Sequence, residues 1–71
     1  MDREELNMMI REGPVRITMN SGQVFEIPSS EFAIVSDISA YVLVRSEGGK
    51  LMAARLPLVT ISAVEEMPSA S

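Results

Sequence analysis

Pro14-Val15-Arg16-Ile17-Thr18-Met19-Asn20-Ser21-Gly22-Gln23-Val24-Phe25-Glu26-Ile27-Pro28 is the stretch on which the fold turns. In its first half Val15, Ile17 and Met19 alternate with Arg16 and Thr18, the period-two pattern of a half-buried strand. Asn20-Ser21-Gly22 is turn chemistry, with Gly22 free to take a positive φ. Beyond the turn Phe25 and Ile27 fall on one face and Val24 and Glu26 on the other, so the stretch predicts a hairpin. Pro28 has no N–H for a ladder, and the second strand ends or bends there, ahead of a polar corner at Ser29 and Ser30.

Upstream, residues 2–12 read as a short helix. Asp2 and Glu5 have the spacing of a capping box. Leu6, Met9 and Ile10 form a one-sided apolar stripe, ended by Gly13 and Pro14. So short a helix is marginal alone in water, so its stripe must dock on the strands. Downstream, Phe32–Val35 is a short strand, Asp37-Ile38-Ser39 a turn, and Tyr41–Arg45 a returning strand. Tyr41, Val42, Leu43 and Val44 are apolar on both faces, which predicts cover on both sides from a closed sheet or a subunit contact. Glu47-Gly48-Gly49-Lys50 is a second hairpin turn. Leu51–Leu56 follows with small Ala53 and Ala54 at its centre; Pro57 interrupts, Leu58 and Val59 make a tight turn, and Thr60–Val64 is the last strand. The predicted fold is mainly β: an N-terminal α-helix and a five- to six-stranded antiparallel barrel of Sm-like or SH3-like type. It forms one domain over residues 1–66, and residues 67–71 read as a flexible tail.

Composition narrows the functions. The 71 residues are 46% hydrophobic and 23% charged, which excludes a disordered chain and leaves room for a single core. Neither cysteine nor histidine is present, which removes disulfides, thiol nucleophiles and the commonest general base. The net charge is −4, but it sits at the ends: Met1–Glu12 holds four acids against Arg3 and Arg11, and Glu65 and Glu66 add two more. Between Gly13 and Val64 four acids balance four bases, so nucleic-acid binding is disfavoured. No apolar run reaches the roughly 20 residues of a membrane-spanning helix. Asp2, Glu4 and Glu5 stand where a secretory signal carries positive charge, so the expected setting is the cytoplasm, with no membrane partner.

Pro14–Gly22 is similar to the first strand and turn of Sm-like proteins, the family of the bacterial RNA chaperone Hfq, and Val59–Val64 to their closing strand. A second resemblance is to a group of small uncharacterised bacterial proteins of this length, through Met19–Ile27, Glu31-Phe32 and Ile61-Ser62-Ala63-Val64-Glu65. Ser29-Ser30 stands where that group has His-Pro, and Gln23 where it has Arg, so any role of those side chains is absent here. The Sm-like resemblance implies a ring and RNA binding. It also places the family's uridine-binding Lys-His pair on Leu58 and Val59, neither of which can bond a phosphate or a base.

Catalysis has little to work with. Lys50 lies in a solvated turn, Glu26 and Glu31 flank a corner, and Asp37 and Glu47 lack the spacing of a cation loop. The sequence therefore predicts no enzyme, no cofactor and no metal. The leading expectation is a noncatalytic interaction module that self-associates into a homo-oligomer or docks on a protein partner. Its candidate contact residues are Met8, which lies off the helix stripe, and Tyr41 and Leu43. The alternative is a Sm-like RNA-binding ring in which Arg16, Arg45 and Arg55 meet an anion or RNA. Against that, outward arginines on strands commonly pair with acids such as Glu26 or Glu47.

Overall fold

The computed structural model describes residues 1–68. One helix, α1 (Arg3–Glu12), precedes six strands: β1 (Val15–Met19), β2 (Val24–Ile27), β3 (Ala33–Val35), β4 (Ser39–Arg45), β5 (Leu51–Pro57) and β6 (Ile61–Glu66). Single 3-10 turns at Ser30–Phe32 and Leu58–Thr60 join β2 to β3 and β5 to β6. The strands form two antiparallel three-stranded sheets, ordered β2-β1-β6 and β3-β4-β5.

The alternation in the opening stretch sets the first sheet. Val15 pairs with Ile27 and Ile17 with Phe25 across β1 and β2, and Ile17 faces Val64 on β6. That places Val15, Ile17, Met19 and Ile27 in the core. Arg16 and Thr18, opposite Glu26 and Val24, form the outer face. The Met19 N–H donates to the Gln23 carbonyl at 2.8 Å and the Gly22 N–H to that of Met19 at 2.9 Å. Gly22 sits at φ +93°, which an L side chain adopts only under strain. In β4 and β5 the even positions turn inward: Ala40 pairs with Leu56 and Val42 with Ala54, and Ala40, Val42 and Leu56 are buried.

Helix α1 lays Leu6 and Ile10 on this core, where both are buried, and Met9 packs beside them. Its placement is reinforced by the Arg3–Asp37 ion pair and by the N-terminal ammonium, which donates to the Leu58 carbonyl at 3.2 Å. The expected capping box is not made: Asp2 holds the N-cap position with no side-chain hydrogen bond.

Barrel closure is also not observed. The strands stay in two separate three-stranded sheets, because β2 comes beside β4 without entering its ladder. Pro28 supplies no donor at the point where β2 would continue, and the 3-10 turn at Ser30–Phe32 redirects the chain. β3 then pairs with Ala40–Val42 of β4, leaving Leu43–Arg45 without a ladder partner on that side, where Val24–Glu26 of β2 lie alongside among the described residues. The last strand starts at Ile61, one residue later than expected, since Thr60 closes the preceding 3-10 turn. Met67 is tied back by its N–H, which donates to the Pro14 carbonyl at 2.9 Å. Of the expected tail, residues 69–71 lie outside the described residues.

Candidate contact surface

β4 is covered on one side only. Val42 is buried, whereas Tyr41 is 47% and Leu43 40% exposed, so the cover expected on both faces is not supplied by the described residues. The reason is topological: α1 and the first sheet both sit on the inner side, and no element remains for the outer one. From Tyr41 onward the odd positions of β4 and their partners on β5 therefore face outward together, Tyr41 opposite Arg55, Leu43 opposite Ala53 and Arg45 opposite Leu51. Ile34, opposite Tyr41 on β3, extends the apolar area and is 71% exposed. Scattered apolar side chains are normal on a protein surface; here Ile34, Tyr41 and Leu43 are neighbours on one sheet face.

A second feature adjoins it. β5 pairs with β4 alone, so its other edge carries unpaired backbone groups. Along that side runs a groove of about 770 Å³, lined by Met52–Pro57 of β5, by Met19, Phe25 and Val44, and by polar Asn20, Ser21, Gln23 and Thr60 at its rim.

The arginines divide between the two sheets. Arg16 lies on the outer face of the first sheet, where its Nη2 is 3.2 Å from Glu26 Oε2 and its register partner on β6 is Glu65. Arg45 does not meet Glu47; its Nη1 donates to the Gly49 carbonyl at 2.9 Å. Arg55 donates from Nε to Ser39 Oγ at 3.1 Å, which satisfies the one buried polar side chain of the core region. Arg45 and Arg55 thus share the outer face of the second sheet and bracket its apolar middle, while Arg16 belongs to the first sheet and its partner Glu26 lines a cleft with Arg45.

Leu58 is a core residue and Val59 is 82% exposed. Among the described residues no three carboxylates gather as a metal site. Among them also no helix is long and apolar enough to cross a membrane. Met8, which sequence reasoning set off the stripe, is 57% exposed on the outer side of α1. What that reasoning missed is Ile34 and Leu51, whose outward placement depends on the register of β3 and β5 on β4.

No protein-family model matches the chain, and neither a curated protein nor a solved structure matches it at a significant level. What the fold and surface define is a class: a small, mainly β domain with an N-terminal helix and one bare apolar sheet face.

Proposed function

We propose that this chain is a noncatalytic interaction module of the cytoplasm that self-associates through the outer face of the β3-β4-β5 sheet. One observation carries the reading: Ile34, Tyr41, Leu43 and Leu51 form an apolar surface that nothing among the described residues covers. At about 25 cal/mol per Å² of apolar surface removed from water, covering it favours association. The free edge of β5 beside it offers backbone groups to the same neighbour. The leading helix and the return of β6 to pair beside β1 support a Sm-like ancestry for the domain, although its sheets stay open.

The test is sedimentation velocity over a wide concentration range, comparing the native chain with Tyr41→Glu/Leu43→Glu. The native chain is expected to associate and the variant to be a monomer with native circular dichroism. A native chain that stays monomeric throughout would refute self-association. Fluorescence anisotropy with labelled oligo-U and oligo-A at low salt tests the RNA reading. Tight binding there would replace the present proposal.

A further inference from the structure

Resting on the reading that the outer face of β3-β4-β5 is a contact surface, we infer that its occupant is helix α1 of a second copy. The outer stripe of α1 is Glu4, Met8 and Glu12, four residues apart and hence in one row along the helix. All three are exposed, and Leu6 and Ile10, on the opposite side, are locked into the core of their own chain. The stripe therefore cannot reach the sheet face of the same molecule. It reads acid, methionine, acid. The sheet face reads base, apolar, base: Arg55 opposite Tyr41 at one end, Leu43 opposite Ala53 in the middle, and Arg45 at the other end.

The spacings agree. Glu4 and Glu12 are eight residues apart, about 12 Å along a helix at ~1.5 Å per residue. The Arg55 and Arg45 positions lie four residues apart along β4, about 14 Å at ~3.4 Å per residue. A helix laid along β4 sets Met8 over Leu43 and small Ala53 while its carboxylates reach the two guanidinium groups. The charges are available for this. Among the described residues the ion pairs are Arg3–Asp37 and Arg16–Glu26, which leaves Glu4, Glu12, Arg45 and Arg55 uncommitted to an opposite charge. Each guanidinium is also steadied by one hydrogen bond, to Gly49 or to Ser39, while keeping donors to spare. Methionine suits the centre, since its unbranched thioether adapts to an irregular apolar bed.

The experiment is sedimentation of the full chain in four forms: native, Glu4→Lys/Glu12→Lys, Arg45→Glu/Arg55→Glu, and an equimolar mixture of the two reversed variants. Each reversed variant alone is expected to associate about tenfold or more weakly, since like charges then face each other. The mixture should recover association, because in a mixed pair the lysine-bearing helix meets the glutamate-bearing face and the unaltered helix meets the unaltered face, both of opposite charge. A variant that failed to fold could not complement the other, so recovery also reports folding. If both reversed variants associate as tightly as the native chain, or the mixture no better than its parts, the helix is not the occupant. Leu43→Glu separates the two readings: loss of association there, with Glu4→Lys/Glu12→Lys unchanged, keeps the face as the contact and removes α1 from it. A native chain that is monomeric at every concentration overturns both.

Discussion

Replacing Leu6 by alanine tests whether α1 is part of the core. Leu6 is fully buried among strand residues, whereas Met8, two positions on, points to solvent. Leu→Ala removes three side-chain carbons, worth roughly 2.4 kcal/mol at about 0.8 kcal/mol each. The cavity left behind raises the cost to about 3–4 kcal/mol, within the range for buried leucines. A domain of this size has a total stability of roughly 4–10 kcal/mol, so the loss is a large fraction of the whole. An isolated helix of ten residues has no stability to fall back on. Urea denaturation followed by far-ultraviolet circular dichroism measures the difference. Met8→Ala on the same helix is the control, expected within about 0.5 kcal/mol of the native chain below the concentration at which it associates. If Leu6→Ala and Met8→Ala lie within about 0.5 kcal/mol of each other, the helix does not seal the core as described.

Three further outcomes follow from the geometry. Gly22→Ala should destabilise by about 1–2 kcal/mol in thermal melts, because φ is +93° there while the space for a Cβ is open; an unchanged melt would mean that the turn relaxes. A double-mutant cycle on Arg16 and Glu26 should give a coupling of about 0.2–1 kcal/mol that shrinks with added salt, as for an exposed cross-strand pair; a coupling independent of salt would contradict that. Ser39→Ala should cost about 1 kcal/mol in urea titration, because it removes the buried hydroxyl that accepts from Arg55; a neutral result would mean that water replaces it.

Local pattern carried the elements. The alternation of Val15, Ile17 and Met19, the Gly22 turn and the Leu6/Ile10 stripe each led to the structure observed, because burial follows period and turns follow backbone freedom. Barrel closure was not legible, since it depends on whether β2 continues past Pro28 to reach β4, a pairing between segments far apart in the chain. The same limit applied to the surface. Tyr41 and Leu43 could be picked out from their two-faced strand, but Ile34 and Leu51 join them only through register, and Arg16 leaves the other arginines only through sheet assignment. The capping box failed at closer range: Asp2 has the right chemistry and position, and its side chain bonds none of the helix amides.

The unpartnered margin of β5 bears on how the protein must be handled. A row of free amides and carbonyls is a template on which fibres can seed. Here Lys50 guards one end, Pro57 the other, and Arg55 interrupts the apolar run between them, leaving only Leu51–Ala54 for a foreign strand to zip onto. Shelf life of a concentrated solution therefore hangs on those three sentries, and neutralising Lys50 and Arg55 together should be the quickest route to a gel.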